Sequence, residues 1–192
     1  MSSYECGRVF AYWPNGSRFQ REHVQTYDKS GRKSVPVWGA FCAHGPSSLI
    51  RIEGHLTGEQ YCTILDDELL PMIDRYYGGR PVKFIQDQSP IHKSRIVKQW
   101  FEENPTIEVL PWPPKGADLY PIENVWGDMV SDMNDTAQAR STVNSNELFN
   151  IVNTIWEEYH VNIQKWRTLA FLMQNRLTMC LLADGYWTKY WG

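Results

Sequence analysis

The sequence lacks the features that most directly assign a protein to a class. Its four cysteines lie far apart and form no CxxC pair, which argues against a cysteine-ligated zinc site. Cysteines spaced in this way are typical of reduced thiols and predict an intracellular protein. The chain has no run of eighteen apolar residues, and its start lacks a basic segment followed by an apolar one. Neither a membrane span nor a signal peptide is therefore predicted, and no membrane partner is expected.

Positive charge is also scarce overall. The 19 Lys and Arg residues against 22 Asp and Glu residues give a formal net charge of −3, which excludes a global basic signal for nucleic acid. Basic side chains are nevertheless concentrated in two stretches, residues 18–33 and 93–98, so a local phosphate-binding face remains a hypothesis. Its candidate residues, with the neighbouring histidine included, are Arg18, Arg21, Lys29, Arg32, Lys33, His92, Lys93, Arg95 and Lys98.

The length and apolar composition of the chain suit one folded domain over residues 1–192. Apolar residues make up 42% of the chain, enough to bury a core at this length. The periodicity predicts alternating elements, which indicates an α/β domain with a mixed sheet. Strands are predicted at residues 8–13, 34–45, 47–54, 82–86 and 107–112. Helices are predicted to begin at the capping-box residues Thr57 and Asn144, at residue 94, at Pro121 and at Ile163. The polar stretch 134–145 is predicted to link the domain to its C-terminal helices.

Two carboxylates occupy positions typical of a metal site. Asp87 ends the predicted buried strand at 82–86, and sites in open α/β sheets gather at the carboxyl ends of strands. Glu123 lies in the first turn of the predicted helix that begins at Pro121, among free backbone N–H groups. Two hard oxygen ligands on separate rigid elements are what Mg²⁺ or Mn²⁺ prefers.

Simpler interpretations of the same residues stay open. Asp87 is also a typical turn residue, and Glu123 a typical helix-start carboxylate. His92 follows Pro90 and is by default a solvated loop histidine. The acidic run 66–68 is expected to form a polar helix face, and Trp100 and Trp126 are expected to lie in the core.

Longer motifs carry a resemblance to a known family. The segment "FIQDQSPIH" (84–92) resembles the Q-D-N-x-P-x-H segment of Tc1/mariner-type transposases, and "VLPWPPKGADLYPIENVWGDM" (109–129) resembles their W-P-x-x-S-P-D-L-N-P-I-E-N-x-W segment. "VWGAF" (37–41) and "YCTILDDELLP" (61–71) are similar to the family's Trp-Gly strand and first long helix. The resemblance covers roughly residues 7–192, including the C-terminal stretch from "MQNR" to "DGYWTKY".

The resemblance implies an RNase H-like fold and a DDE-type catalytic domain. It makes Asp87 the second metal-binding aspartate and Glu123 the third carboxylate, with Mg²⁺ or Mn²⁺ as the cofactor and no small-molecule cofactor. The implied activity is metal-dependent DNA cleavage and strand transfer, the reaction of DNA transposition and integration. DNA is the implied partner, a homo-oligomer is an open alternative, and the implied location is the nucleus.

The sequence departs from the family pattern at several places. The family's first catalytic aspartate lies in an S-D-E strand, and no such strand follows Met1, so the first strand of the sheet and that aspartate are expected to be missing. The N-terminal helix-turn-helix region has no counterpart either. Within the signatures, Gly116-Ala117 replaces Ser-Pro, which is expected to loosen the loop before Glu123, and Tyr120 and Gln88 each replace Asn.

Three hypotheses follow from these departures. In the favoured one, the chain is a transposase catalytic-domain fragment with little or no activity alone, because positioning and charge stabilisation dominate phosphoryl transfer. In the second, it is a non-catalytic module that binds DNA or another protein. In the third, it is an active nuclease in which another acid replaces the first aspartate.

Overall fold

The computed structural model describes residues 34–113, 119–135 and 144–184. The strand predicted at 8–13, the segment 17–33 and most of the linker predicted at 134–145 lie outside these residues. None of the described helices combines the length and the apolar character that crossing a membrane requires.

An interrupted antiparallel hairpin opens the described chain. Its four short strands are paired as β1 (Val37–Trp38) with β4 (Ile50–Arg51), and β2 (Phe41–Cys42) with β3 (Gly45–Pro46). Ser47 bridges the gap between the two pairs: its N–H donates to Ala40 O at 2.8 Å, and its Oγ accepts from Ala40 N at 2.9 Å. The strands predicted at 34–45 and 47–54 are thus present as shorter, antiparallel pairs.

A long helical stretch follows, made of α1 (Gly58–Ile64), a π-helical segment (Leu65–Leu69) and α2 (Leu70–Tyr77). It begins at the predicted capping box, in which Gln60 N donates to Thr57 Oγ1 and Thr57 N donates to Gln60 Oε1. Pro71 has no N–H to donate to the carbonyl four residues earlier, which disturbs the helix at this point. The interruption takes the form of the π-helical segment just before it, and the helix then continues to Tyr77.

The middle of the chain forms a parallel strand pair with a helical crossover. β5 (Val82–Phe84) pairs in parallel with β6 (Ile107–Val109), and α3 (Arg95–Glu103) connects them. Both strands were predicted, and each is shorter than the predicted run. The described strands thus form three separate two-stranded sheets, of which two are antiparallel and one is parallel.

Three helices complete the described chain: α4 (Pro121–Asp135), α5 (Ser145–His160) and α6 (Ile163–Leu182). Pro121 is the first residue of α4, as predicted. The second predicted capping box is also present, because Glu147 N donates to Asn144 Oδ1 and Asn144 N donates to Glu147 Oε2, both at 2.9 Å.

The buried side chains form two separate clusters. The helix core consists of Val35, Leu49, Val125, Met129, Met133, Leu148, Val152, Ile155, Trp156, Trp166 and Leu169. The strand core consists of Tyr61, Cys62, Leu65, Leu69, Ile73, Val97, Trp100 and Ile107. The predicted core role of the two tryptophans is confirmed: Trp100 belongs to the strand core, and half-buried Trp126 stacks on Trp156 with ring centroids 5.5 Å apart.

One backbone carbonyl of the hairpin contacts two side chains of α5. Ser47 O accepts a hydrogen bond from Trp156 Nε1 at 2.8 Å and contacts His160 Nε2 at 3.1 Å. A Cβ atom at Gly39 would lie 3.0 Å from Trp156 Cη2, so a side chain at this position would force the indole to move. The glycine therefore lets the hairpin lie directly on α5.

Candidate active site

Asp87 lies three residues beyond the end of β5, at the carboxyl end of the parallel strand pair. Its Oδ1 accepts from Ser89 N at 2.9 Å and lies 2.7 Å from His92 Nδ1. The first contact is that of an Asx turn, so the turn interpretation of Asp87 is geometrically correct. Both contacts fall on Oδ1, and within the described residues Oδ2 makes no hydrogen bond. The side chain is 62% exposed, which leaves this second oxygen available to a ligand.

His92 is not the solvated loop histidine that the sequence suggested. Its side chain is only 15% exposed, because its ring packs on Tyr61 with centroids 4.4 Å apart while Nδ1 faces Asp87. Tyr61 is in turn fixed by its hydroxyl, which donates to Gln86 Oε1 at 2.7 Å, and burial raises the pKa of this phenol. The default interpretation was wrong because the tertiary partner on α1 could not be seen in the sequence.

Glu123 occupies the first turn of α4, where its N–H donates to Tyr120 O at 3.1 Å. The side chain is exposed, yet partial burial of the carboxyl raises its pKa, and the negative charge of Asp87 raises it further. Both carboxylates line one cavity of about 670 Å³, which extends between the hairpin, β5, α4 and α6. The structure thus brings together the two acids that the sequence singled out.

A buried arginine anchors the helix that carries Glu123. Arg176 on α6 is 2% exposed, and its Nη2 donates to Oδ1 of Asn124, the residue directly after Glu123. Arg176 was not among the site residues predicted from the sequence. A signal was present, because Arg176 falls at helical spacing from Trp166 and Leu169 and hence on the inward face of α6.

Tyr120 also belongs to this cavity and was noted in the sequence only as a departure from the family pattern. Its ring packs against Trp112, with centroids 5.1 Å apart. Trp112 is held in turn through its carbonyl, which accepts from Gln88 Nε2 at 2.8 Å. The loop after β5 and the loop before α4 are therefore fixed to each other beside the two carboxylates. Gly116 and Ala117, the other departures in this loop, lie outside the described residues.

The donor set suits a hard divalent cation. Mg²⁺ is commonly held by one or two carboxylates and completes its shell with water or substrate phosphate. Asp87 offers an oxygen without a hydrogen bond, and the raised pKa of Glu123 reflects in part a like charge that a cation would neutralise. In the described part of the chain, no group of three or more His, Cys, Asp or Glu side chains is placed to hold a metal ion. These residues therefore fit one cation with an incomplete protein shell.

Apart from His92, the predicted nucleic-acid residues divide into two groups. Lys93, Arg95 and Lys98 are exposed, and Lys93 and Lys98 line a second cavity of about 490 Å³ that also contacts Asp87. Lys93 and Lys98 thus place positive charge in the same cavity as the aspartate. The other predicted basic residues, Arg18, Arg21, Lys29, Arg32 and Lys33, lie outside the described residues.

Comparison with known proteins places these features in a family context. Residues 7–144 match the family model described as DDE superfamily endonuclease. The chain is 31% identical over 177 residues to the transposable element Tcb1 transposase of Caenorhabditis briggsae, a match that covers 92% of this chain and 62% of the relative. It is 29% identical over 184 residues to the transposable element Tc1 transposase of Caenorhabditis elegans, covering 96% of this chain and 64% of that protein. The chain thus spans less than two thirds of the length of these curated relatives.

The fold is similar to solved structures as well. The catalytic domain of Mos1 mariner transposase superposes with a TM-score of 0.65 at 18% identity, covering 82% of this chain and 76% of that one. The same catalytic domain has been solved with Raltegravir and Mg, and superposes with a TM-score of 0.63 at 15% identity over 81% of this chain and 84% of that one. These superpositions confirm the predicted RNase H-like fold.

Proposed function

The chain belongs to the DDE superfamily endonucleases, in the Tc1/mariner group, and we propose that it acts on DNA through a divalent cation held by Asp87 and Glu123. The observation that supports this proposal is the shared cavity: two acids from different elements face it, and the charge of one raises the pKa of the other. The reaction class is metal-dependent cleavage and transfer of DNA strands.

The residues of this chain would divide the work as follows. Asp87 offers Oδ2 while Ser89 N and His92 fix Oδ1, and Glu123 approaches from the first turn of α4. A bound Mg²⁺ or Mn²⁺ supplies the positive charge that activates an attacking oxygen and stabilises a leaving one. The exposed Lys93, beside Asp87, would hold a phosphate group near the cavity.

We expect the chain by itself to cleave DNA little or not at all. Within the described residues, two of the family pattern's three carboxylates line the cavity, and a site for two metal ions needs a further ligand. Solved relatives include Mos1 catalytic domains with Mg and with Mn and a Mos1 paired-end complex with transposon-end DNA. By analogy we propose Mg²⁺ or Mn²⁺ as cofactor and DNA as partner; a homo-oligomer and a nuclear location stay predictions.

Metal binding tests this proposal without requiring turnover. Titration of the 192-residue chain with Mn²⁺ is expected to give one site, and Asp87→Asn or Glu123→Gln is expected to weaken it at least tenfold. Glu108→Gln is the matched control, because Glu108 is exposed on β6 and outside both cavities. Equal Mn²⁺ affinity in all four proteins would refute the proposal.

A second function is DNA binding without catalysis. It is favoured by the exposed side chains of Lys93 and Lys98, which line a cavity together with Asp87. Binding of duplex DNA should then weaken with salt, and replacing Lys93 or Lys98 by Gln should reduce the slope of log K against log salt by about 0.9 each. This function requires that Asp87→Asn and Glu123→Gln leave DNA affinity in the absence of metal undiminished. Absence of binding even at low salt would exclude it.

A further inference from the structure

Tyr120 has a hydroxyl group with no described role. The residue stands directly before α4, and its side chain lines the cavity together with Asp87 and Glu123. The Oη atom is shielded from solvent, yet it makes no hydrogen bond in the part of the chain that the structure describes. Two carboxylates lie close enough to influence it electrostatically, and neither accepts its proton in a hydrogen bond.

The charge state of this phenol is settled by its surroundings. Burial raises its pKa above the ordinary tyrosine value, and the charges of Asp87 and Glu123 raise it further. In the chain without a bound metal ion, Tyr120 therefore presents an O–H donor.

The ring has little freedom to find another partner. It packs on Trp112 at an interplanar angle of 50°, and Gln88 fixes the carbonyl of that tryptophan. A buried donor without an acceptor destabilises the free protein, so a bound group that supplies an acceptor oxygen is favoured at this place. Because the Oη atom is shielded in the free chain, a movement of the atoms that cover it must accompany binding of that group.

We propose that Tyr120 Oη donates a hydrogen bond to a phosphate oxygen of DNA bound at the Asp87–Glu123 cavity. The inference rests on the proposed function, because a phosphate reaches two carboxylates only when a cation neutralises them. Tyr120 is then a substrate-binding residue of this site. Its hydroxyl would orient the phosphate group, and the two carboxylates would bind the metal ion.

The substitution Tyr120→Phe in the full 192-residue chain tests this assignment, because it removes only the hydroxyl. We expect the midpoint of thermal unfolding without ligand to rise by about 2 to 4 °C, since an unsatisfied buried donor is lost. Affinity for a short DNA duplex in Ca²⁺ is expected to fall by about tenfold, the effect of one hydrogen bond to a charged group. Affinity for Mn²⁺ alone is expected to stay unchanged.

Tyr159→Phe is the matched control. The Tyr159 hydroxyl donates to Asp132 Oδ2, outside the cavity, so its removal should lower the unfolding midpoint and leave DNA affinity unchanged. The opposite signs of the two midpoint shifts separate an unsatisfied hydroxyl from a structural one.

Several outcomes would overturn the assignment. Unchanged DNA affinity in Tyr120→Phe would show that the hydroxyl does not serve a bound phosphate. A Tyr120→Phe protein that fails to fold would show that the hydroxyl has a structural partner in the free chain, which removes the basis of the assignment. A parallel loss of Mn²⁺ affinity would assign the hydroxyl to a metal-bound water instead. If the wild-type chain binds no Mn²⁺, the proposed function fails; if it binds Mn²⁺ and only the duplex result is negative, the role of Tyr120 alone fails.

Discussion

The two carboxylates are held by opposite means in two halves of the molecule. Asp87 belongs to the side of the strand core, where it follows a three-residue strand and is fixed by local contacts with Ser89 and His92. Glu123 belongs to the side of the helix core, on a 15-residue helix in which Val125 and Met129 are fully buried. One acid is oriented by short-range polar contacts and the other by tertiary burial. Damage to the strand core and damage to the helix core should therefore affect the site differently.

The largest effect is expected from Trp156→Ala in the helix core. The indole is fully buried, stacks on Trp126 and donates to Ser47 O, so its removal should cost about 3 to 5 kcal/mol of unfolding free energy. Denaturant unfolding followed by circular dichroism measures this loss. Phe171→Ala is the control, because that side chain is 71% exposed and should change stability by less than about 0.5 kcal/mol. Similar losses in both variants would contradict the burial of Trp156.

Leu65→Ala should damage the strand core to a smaller extent. Leu65 is fully buried in the π-helical segment, and a Leu-to-Ala change of this kind costs about 2 to 5 kcal/mol, with less aromatic packing lost here than at Trp156. Native-state hydrogen exchange should show lost protection first in α1 and α3, and in α4 only at global unfolding. Equal loss of protection in α4 would mean that the two cores unfold as one unit.

Asn124→Ala should weaken the attachment of α4 by about 2 kcal/mol. Asn124 is exposed, and an exposed asparagine usually contributes little, yet here it accepts from a buried guanidinium that would lose a partner. Asn124→Asp keeps an acceptor for Arg176 and should retain most of the stability. Comparison of the two variants by denaturant unfolding tests this, and equal losses would show that the contact to Arg176 is not responsible.

The smallest effect concerns the coupling between the two halves. Because burial and Asp87 raise the pKa of Glu123, the folded state binds its proton more tightly than the unfolded chain does. The contribution of Glu123 to stability is fully present below the ordinary glutamate pKa of about 4.3 and is lost as pH rises through the folded-state pKa. The free energy of unfolding of Glu123→Gln should therefore increase relative to that of the wild type as pH rises through this range. Denaturant unfolding at several pH values measures this difference. Asp87→Asn should reduce the same pH dependence; an unaltered dependence would mean that the two acids do not interact.

Local signals in the sequence predicted most of the described elements. The two capping boxes at Thr57 and Asn144 depend only on neighbours three residues apart, and both are present. Pro121 marked the start of α4 through another local preference, that of proline for the first position of a helix. Strands β5 and β6 were recognised as apolar runs, but their ends were not, because a parallel pair ends where its partner ends.

The parts that escaped prediction depend on contacts between distant residues. Burial of His92 requires Tyr61, 31 positions earlier in the numbering, and the anchoring of α4 requires Arg176, 52 positions after Asn124. Asp66 lies on the exposed helix face, as predicted, and it also accepts from Trp100 Nε1 at 2.8 Å, across 34 positions. A local pattern can assign a residue to a buried or an exposed face, as at Arg176, but it does not identify a distant partner.

The hydrogen bonds at Ser47 O also determine the order in which the molecule can assemble during synthesis. The strand core is complete once Ile107 has left the ribosome, whereas the carbonyl of Ser47 must wait for Trp156 and His160, and the helix core for Leu169. At roughly 5 to 20 residues per second, the roughly sixty intervening residues take about 3 to 12 s. Throughout that interval the nascent chain contains every residue of the strand core, but its hairpin is without its helical support, and we expect this stage to be the most exposed to chaperones and to aggregation.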